Sequence, residues 1–323
     1  MSDSPTVAFS MGDPHGIGPE VLLKALADAE IPPIEPVVFG DAQYLQALAQ
    51  DLSLDLDFSR IHIIACGRHS YPPRWGRLEA AAGRFALASL HAALRFCRRE
   101  KTEVLVTAPV HKEAARLSDP SFRHGQTEVV GSYFPGSRPV MAFFSQGLKV
   151  VLATVHIPLK EVASQLTSDE IVRRGEIFHQ ALRRLGDRPR LAVCGLNPHA
   201  SEGGLFGDEE ARIVEPAVRE LARRVGSDQV SGPYPPDTIF RAALAGQFEG
   251  VLALYHDQGL IPLKLTAFES AVNVSLGLPL IRTSPDHGTA FEIAGRGQAD
   301  ARSMVEAVRW GLLLRGTYGR RDP

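Results

Sequence analysis

Cysteine is scarce in this chain of 323 residues, which contains only three: Cys66, Cys97 and Cys194. They lie far apart, and none of them forms a Cys-x-x-Cys pair. A disulfide scaffold or a cysteine-based zinc site is therefore not expected, and a reducing compartment is the natural prediction.

Long apolar runs and an excess of one charge are also absent. No run approaches the roughly 20 apolar residues that span a bilayer, and the first residues lack the basic and apolar segments of a signal peptide. Lys plus Arg number 35 against 37 Asp plus Glu, so the formal net charge is only -2. We therefore predict a cytoplasmic protein with no nucleic-acid or membrane partner.

The pattern of apolar residues predicts an α/β fold. At 44% hydrophobic residues, the chain is long enough for two lobes of ordinary domain size. Short β-branched or apolar runs alternate with longer helical patterns, such as the one between Leu78 and Arg99, which is typical of a mainly parallel sheet. The predicted strands are Thr6–Ser10, Val37–Gly40, Ile61–Ile64, Val104–Thr107, Leu191–Cys194 and Val251–Leu254.

Two segments depart from this alternation. Val140–Phe144 and Lys149–Val155 flank the short turn Ser145-Gln146-Gly147, which predicts an antiparallel hairpin that serves as a dimer surface or an arm. The stretch Gly232–Pro236 is rich in proline and predicts a rigid loop.

Three predicted strands each lead into a histidine: His156, His199 and His256. The carboxyl ends of parallel strands share one edge of an open α/β sheet, and ligands bind there. Neutral imidazole is the commonest metal ligand, and three imidazoles leave a position for a substrate oxygen. One such histidine alone would be better explained as a loop residue bonded to backbone. Three in the same context predict a metal site, which suits zinc but also cobalt, manganese or iron.

Other polar residues near these strand ends carry two interpretations each. Asp257 follows His256 and either orients a ligand or transfers a proton, or else forms a turn with its neighbours. Lys264 and Arg282 are either anion-binding groups or solvated surface cations. Asn273 lies in an apolar run and needs a hydrogen-bond partner there.

Two loops could hold an anion or a nucleotide. Thr127 precedes a predicted helix, and a plain N-cap is favoured over a role in presenting backbone N–H groups to an anion. Gly12–Glu20 is rich in glycine but lacks the G-x-G-x-x-G spacing of a dinucleotide fingerprint. A tight turn between a strand and a helix explains it adequately.

Taken together, these motifs resemble the 4-hydroxythreonine-4-phosphate dehydrogenase (PdxA) family of pyridoxal phosphate biosynthesis. The family is similar in turn to the β-decarboxylating isocitrate and isopropylmalate dehydrogenases. The matching segments cover nearly the whole chain: Gly12–Glu20, Thr107–Lys112, Gly195–Glu210, Pro235–Thr238, Tyr255–Lys264 and Val272–Gly297.

The resemblance implies an isopropylmalate-dehydrogenase-like fold. Two α/β/α lobes with mainly parallel sheets and an antiparallel hairpin would flank an active site in the cleft between them. Residues 1–128 with 281–323 would form the first lobe, and residues 129–280 the second, with the metal ligands and the dimer interface. The family's active site lies at a homodimer interface, so a homodimer is implied.

The resemblance also implies the reaction and the residues that perform it. The reaction is NAD- or NADP-dependent oxidation and decarboxylation of 4-phosphohydroxy-L-threonine to 3-amino-2-oxopropyl phosphate, with one divalent ion per site (zinc, magnesium, cobalt or manganese). Asp257 or Lys264 would transfer protons. The metal ligands would be His156, His199 and His256; the substrate contacts Gln126, Thr127, Lys264, Asn273 and Arg282; and the cofactor contacts Asp286, His287, Gly288, Thr289 and Ala290.

One departure from the family pattern bears on the substrate. Gln126 stands where the family usually has histidine, and a glutamine side chain carries neither charge nor a titrating proton. His124, two residues earlier, could substitute for it. The alternatives are therefore a related dehydrogenase of a 4-phosphorylated aldonate or a carboxylated dihydrodiol, or a metal-dependent hydrolase or lyase that uses the three histidines.

Overall fold

The computed structural model describes residues 4–122 and 125–315, so His124 lies outside the described residues. The described part of the chain is an α/β structure that divides into two compact units. One is drawn from Met1–Pro139 with Leu278–Pro323, and the other from Val140–Gly277. The lobe boundaries at 128/129 and 280/281 stay a prediction.

The strands are short, as expected for an α/β fold. They are β1 (Thr6–Ser10), β2 (Glu35–Gly40), β3 (His62–Ala65), β4 (Val104–Thr107), β5 (Val140–Phe144), β6 (Lys149–Leu152), β7 (Leu191–Cys194), β8 (Val230–Tyr234), β9 (Gly250–Ala253), β10 (Val272–Leu276) and β11 (Ile281–Pro285).

The helices connect these strands. They are α1 (Gly18–Ala27), α2 (Ala42–Asp51), α3 (Ala80–Glu100), α4 (Lys112–Ser118), α5 (Gln126–Ser132), α6 (Val162–Gln165), α7 (Ser168–Leu182), α8 (Glu215–Val225), α9 (Ile239–Leu244), α10 (His256–Ala267) and α11 (Arg302–Leu314). Short 3₁₀ segments occur at Phe58–Arg60, Leu159–Glu161 and Pro198–Glu202, and a π-helical turn at Glu210–Val214.

In the first unit, all strands run parallel in the order β3-β2-β1-β4-β11. Every residue of β4 is buried, as expected for a parallel strand covered on both faces. Helix α3 packs Leu90 and Leu94 against a core that includes Phe39 and Leu105. Each fully buried leucine of this kind stabilises the fold by roughly 1.5–3 kcal/mol. The loop 11–17 connects β1 to α1, as the glycine-rich segment predicts.

In the second unit, the strands have the order β10-β5-β6-β9-β7-β8. The predicted hairpin is confirmed, because β5 pairs antiparallel with β6, and β10 also pairs antiparallel with β5. Strands β6, β9, β7 and β8 are parallel. Helix α7 lies over this sheet, with Phe178 buried against Phe144.

The loop predicted at Gly232–Pro236 is wrong for its first three residues, which belong to β8. Strand β8 ends this strand order, and its pairing with β7 shifts register between Ala192 and Cys194. Proline is tolerated in an edge strand at a bulge because no neighbouring strand needs its missing N–H.

Among residues 4–122 and 125–315, no helix has the length and apolarity needed to cross a membrane.

Candidate functional site

The three predicted metal ligands follow three neighbouring strands of the second unit. β6, β9 and β7 are adjacent and parallel, so their carboxyl ends meet at one edge. His156 follows the end of β6, His256 is the first residue of α10 after β9, and His199 follows β7. The strand topology therefore places the three strand ends at one edge of the sheet, as the sequence predicts.

His156 and His256 are brought together. Their ring centroids lie 5.5 Å apart, with the ring planes inclined by 44°. Two imidazole nitrogens about 2.1 Å from one shared zinc ion place their ring centroids roughly 5–6 Å apart. The pair therefore has the spacing of two ligands to one cation, and the side chain of His256 is 34% exposed and accessible to it.

Asp257 orients the ring of His256. Its Oδ1 lies 2.7 Å from His256 Nδ1. Because an ionised carboxylate can only accept a hydrogen bond, Nδ1 donates, and the lone pair of Nε2 is left for a metal ion. The interpretation of Asp257 as a turn residue is wrong, since it lies in the first turn of α10.

His199 lies in an unusual stretch of backbone. The φ angles of His199, Ala200, Ser201 and Glu202 are 54°, 52°, 66° and 45°. Four successive non-glycine residues in the left-handed region cost free energy, and such strain persists only where the surroundings impose the conformation. Gly195 makes room for this turn, because a Cβ atom there would lie 2.8 Å from Ala200 Cα.

Glu210 holds the loop that leads to His199. Its Oε1 accepts hydrogen bonds from the N–H groups of Leu196 and Asn197, both at 2.7 Å. Its Oε2 accepts one from Asn197 Nδ2 at 2.8 Å. Glu210 is 1% exposed and begins the π-helical turn, a feature that occurs frequently at functional sites. Sequence reasoning did not find this residue; its only signal was its place in a family motif.

The described residues do not complete a metal site within one copy of the chain. Among residues 4–122 and 125–315, no group of three or more His, Cys, Asp or Glu side chains is arranged to hold a metal ion. The structure brings His156 to His256, and places the ring of His199 6.2 Å from that of Phe206. A site with all three histidines stays a prediction.

In the first unit, Arg282 is a buried cation with a neutral partner. Its Nε and Nη2 atoms donate to Thr107 Oγ1 at 2.9 and 2.6 Å, and only 3% of the residue is exposed. Burial lowers the pKa of its guanidinium to about 10, against the opposing attraction of Glu128. A buried guanidinium that faces a hydroxyl is poorly compensated and suited to an anion. The interpretation of Arg282 as a solvated cation is wrong.

Gln126 lies close to the same strand end. Its Nε2 donates to the carbonyl of Ala108 at 3.2 Å, and its buried Oε1 has no hydrogen-bond partner among the described residues. A carbonyl only accepts, so this bond fixes which end of the amide is Oε1. Gln126 therefore presents an unsatisfied acceptor, where a protonated histidine would present a donor.

Thr127 is not the helix cap. Helix α5 begins at Gln126 with Gly125 as N-cap, and Glu128 Oε2 accepts the N–H of Gly125 at 2.9 Å. The N-cap predicted for Thr127 is wrong because Gly125 occupies the cap position. Glu128, three residues later, accepts the backbone N–H of Gly125, as in a capping box.

Lys264 and Asn273 belong to the second unit. Lys264 lies on α10, with Nζ 5.6 Å from the ring centroid of Phe268. Asn273 lies on β10, and its buried Oδ1 has no hydrogen-bond partner among the described residues. A buried polar atom normally has a hydrogen-bond partner, so Asn273 Oδ1 is suited to accept a hydrogen bond from a bound ligand.

The predicted cofactor residues lie beside the glycine-rich loop of the first unit. The N–H of Ile17 donates to the carbonyl of Thr289 at 3.0 Å, and a Cβ on Gly16 would lie 2.8 Å from Thr289. His287 Nδ1 donates to the carbonyl of Gly288 at 3.0 Å, and its buried Nε2 has no partner among the described residues.

The same loop contains two buried polar side chains, Asp13 and His15. Asp13 is fully buried, and its Oδ1 accepts the N–H of His15 at 2.9 Å. Burial raises the pKa of Asp13, against the lowering effects of His15 and His111. His15 is 1% exposed and lies 2.9 Å, through Nδ1, from the carbonyl of Arg77. Both side chains therefore hold the loop in place.

Comparison with known proteins identifies relatives along the whole chain. The family model described as pyridoxal phosphate biosynthetic protein PdxA matches residues 32–311. A 4-hydroxythreonine-4-phosphate dehydrogenase from Desulfosudis oleivorans is 40% identical over 99% of both chains. A D-threonate 4-phosphate dehydrogenase from Salmonella typhimurium is 38% identical over 97% of this chain and 99% of its own.

A solved structure agrees in fold. The 4-hydroxythreonine-4-phosphate dehydrogenase from Klebsiella pneumoniae superposes with a TM-score of 0.80 at 38% identity, covering 96% of this chain and 99% of its own. The resemblance inferred from the motifs is thus confirmed, as is the α/β fold with mostly parallel strands.

Proposed function

The chain belongs to the PdxA family of pyridoxal phosphate biosynthetic proteins, and we propose that it oxidises and decarboxylates 4-phosphohydroxy-L-threonine to 3-amino-2-oxopropyl phosphate with NAD or NADP. The observation that carries the proposal is the pair His156 and His256, spaced for one cation and oriented by Asp257. Its relatives are dehydrogenases, which supports the reaction class.

His156, His199 and His256 would hold one divalent ion, of zinc, magnesium, cobalt or manganese. When bound, such an ion would act as a Lewis acid that stabilises negative charge on a substrate oxygen, which favours both oxidation and decarboxylation. Asp257 would keep the proton of His256 on Nδ1, so that the lone pair of Nε2 is available to the metal ion.

The substrate's anionic groups would be held by Arg282, Lys264, Asn273 and Thr127. Arg282 is the strongest of these, because burial makes its charge costly until an anion approaches. Asn273 Oδ1 and Gln126 Oε1 are buried acceptors that would receive hydroxyl or ammonium donors. Contacts of this kind orient the substrate's reacting carbon, and correct orientation lowers the barrier to reaction.

Proton transfer requires a group near the reacting carbon, and Asp257 or Lys264 would supply it. Asp257 uses Oδ1 for His256, and 71% of its side chain remains exposed. Lys264 lies further along the same helix, and lysine is one of the side chains that serve as general acids or bases.

Asp286, His287, Gly288, Thr289 and Ala290 would contact the cofactor. The donor set fits, because His287 Nε2 is a buried acceptor without a partner among the described residues and would receive an N–H or O–H of the dinucleotide. When bound, the cofactor accepts the hydride. The cofactor would be NAD or NADP. The cleft between the lobes and the cytoplasmic location stay predictions.

A homodimer with its active site at the interface is also proposed, and exposed apolar side chains support it. Ile261, Leu265 and Phe268 recur at helical spacing from α10 and are 59%, 82% and 72% exposed. Leu159 and Leu205, in the loops that carry His156 and His199, are 71% and 72% exposed. Apolar patches of this kind mark protein interfaces, and a second copy of the chain would bring further histidines to each site.

A second substrate is favoured by one specific observation. Gln126 replaces the family's usual histidine with a neutral acceptor, and one relative is named a D-threonate 4-phosphate dehydrogenase. A phosphorylated aldonate carries a hydroxyl in place of the ammonium group, and a neutral acceptor receives a hydrogen bond from either. A three-histidine hydrolase or lyase would need no dinucleotide, so binding of NAD(H) or NADP(H) distinguishes it. A carboxylated dihydrodiol lacks the phosphate that Arg282 would bind.

The proposal is tested by replacing His199 with alanine. We expect the variant to lose bound divalent metal and NAD(P)-dependent turnover of 4-phosphohydroxy-L-threonine together, because a ligand set reduced from three to two binds weakly. Metal content is measured by elemental analysis, and turnover by absorbance of the reduced cofactor. A His199→Ala protein that is metal-free and fully active would refute the metal site. His62→Ala, on the edge strand β3, is the matched histidine control.

A further inference from the structure

Gln258 joins two of the strand ends that lead to the histidines. It is the third residue of α10, two positions after His256, and is 7% exposed. Its Oε1 accepts the N–H of Leu254 at 2.6 Å, and its Nε2 donates to the carbonyl of Gly195 at 2.8 Å. Leu254 directly follows β9 and Gly195 directly follows β7. One buried side chain therefore links the ends of β9 and β7.

Thr154 extends this connection to the third strand end. It lies two residues before His156, and its Oγ1 donates to the carbonyl of Leu254 at 2.7 Å. Its backbone N–H donates to the same carbonyl at 3.1 Å. Both peptide groups of Leu254 are thus held, one by Thr154 and the other by Gln258. We call Thr154, Leu254, Gln258 and Gly195 the strand-end bridge.

The bridge requires a glutamine at position 258. The N–H of Leu254 can only donate and the carbonyl of Gly195 can only accept, so the side chain must accept at one end and donate at the other. Glutamate lacks the donor, and an apolar residue lacks both groups. Breaking a buried bond of this kind leaves a peptide group unpaired, which is costly because no water replaces the lost partner.

We propose that Gln258 is a positioning residue that fixes the strand ends from which the loops of His199 and His256 emerge, and thereby the affinity of the histidine site for a divalent cation. The inference rests on the proposed function, because it assumes that these histidines bind a cation. It concerns a residue that touches neither the cation nor the substrate. Groups behind the ligands often govern metal affinity, since they decide whether the ligands converge without further rearrangement.

The test is the substitution Gln258→Glu. Glutamate keeps an acceptor for Leu254 but places an oxygen against the carbonyl of Gly195, so the two loops are pushed apart. The purified, metal-free full chain is titrated with Co²⁺, and the visible absorbance reports both affinity and ligand geometry. We expect roughly tenfold weaker binding, together with an altered cobalt spectrum. Affinity and spectrum equal to those of the wild type would overturn the proposal.

Gln229→Glu is the matched control. Gln229 also bridges two groups in the second unit: its Oε1 lies 3.0 Å from His179 Nε2, and its Nε2 donates to the carbonyl of Val225 at 3.2 Å. It directly precedes β8, at the opposite end of the parallel strands. This variant should lower thermal stability and leave the affinity for Co²⁺ unchanged. An equal loss of affinity in both variants would mean general loosening of the fold and would overturn the proposal.

Thr154→Val is the second test variant, to be used if Gln258→Glu does not fold. Valine removes the Oγ1 donor at nearly constant volume and leaves the backbone bond to Leu254 in place. We expect about threefold weaker Co²⁺ binding, which corresponds to loss of one ordinary hydrogen bond; unchanged binding would overturn the proposal.

Failure of the proposed function gives a different result. If Co²⁺ binding by the wild type is absent or insensitive to His199→Ala, the metal site and this inference both fail. If the wild type binds Co²⁺ through the histidines and Gln258→Glu binds it equally well, only the inference fails.

Discussion

Replacing Arg282 with methionine and Thr107 with valine should stabilise the substrate-free protein while it loses affinity for a phosphorylated substrate. The guanidinium is 3% exposed and its two hydrogen bonds go to one neutral hydroxyl. Its charge is thus removed from water, and the attraction of Glu128 offsets only part of that cost. Replacement of buried charges by apolar residues of similar volume is often neutral or stabilising.

The magnitude follows from the pKa of Arg282, which burial lowers from its ordinary value to about 10. At about 1.4 kcal/mol per pH unit, this difference of roughly 2.5 corresponds to about 3 kcal/mol of penalty for the charged form. The hydrogen bonds to Thr107 offset part of it, at about 1 kcal/mol each. We therefore expect the double variant to gain about 1–3 kcal/mol in free energy of unfolding.

The pH dependence has a definite sign. A basic group whose pKa is lower in the folded state destabilises the fold while it is charged. For Arg282 the penalty is fully present below about pH 10 and disappears as the pH rises from there towards the higher pKa of an arginine in the unfolded chain. The stability difference between wild type and double variant should therefore be constant around neutral pH and shrink in strong alkali.

Urea unfolding in a buffer without phosphate or sulfate measures the stability, and calorimetric titration with 4-phosphohydroxy-L-threonine measures the affinity. Affinity should fall at least tenfold, about 1.4 kcal/mol or more. Arg188→Met is the surface control, because Arg188 pairs with Asp228 where 73% of its side chain is exposed. We expect that variant to change stability by less than about 0.5 kcal/mol.

A double variant that unfolds more easily than the wild type by about 3 kcal/mol would refute this reasoning, since loss of a well-compensated buried charge has that cost. So would an unchanged affinity for the phosphorylated substrate. Thr107→Val alone separates the two contributions, because it leaves the charge in place and removes only its hydroxyl partner.

Two further predictions concern the substrate and the dimer. Gln126→His should raise kcat/KM for 4-phosphohydroxy-L-threonine relative to D-threonate 4-phosphate, because it restores the residue that the family usually has at this position; an unchanged ratio in cofactor absorbance assays would mean that Gln126 does not select the substrate. Leu265→Glu should convert a dimer into monomers in analytical ultracentrifugation, since this side chain is 82% exposed on the apolar face of α10. Leu244→Glu, on α9, is its matched control, because that leucine is 42% exposed and lies outside the proposed patch. A Leu265→Glu dimer of undiminished stability would contradict the proposed interface.

The strand ends were predictable because their signal is local. Apolar runs followed by proline, glycine or histidine marked β6, β7 and β9, and parallel topology then placed their carboxyl ends together. His156 and His256, which follow β6 and β9, accordingly lie close together in the structure. That reasoning uses only the order of residues and the geometry common to all parallel sheets.

The conformation around His199 was not predictable in the same way. Nothing in the segment Asn197–Glu202 favours four left-handed residues, and local propensity opposes them. Gly195 and Glu210 impose the turn by making room for it and by binding its backbone. Glu210 is 15 residues away from Gly195 in the chain, so the local pattern does not reveal that the two residues act on the same turn.

The buried partners were missed for a related reason. A histidine at a strand end is conspicuous because the position is exposed and the residue is chemically active. Gln258 and Thr154 are neutral polar residues of a kind common on helix surfaces and in loops, and only their burial reveals that their hydrogen bonds join different strands. Burial makes those bonds obligatory, since an unpaired peptide group has no water to bind. Positioning residues are therefore sought among buried polar side chains one or two residues from a proposed metal-binding side chain. Their burial and their hydrogen-bond partners are visible in a structure and not in the order of residues.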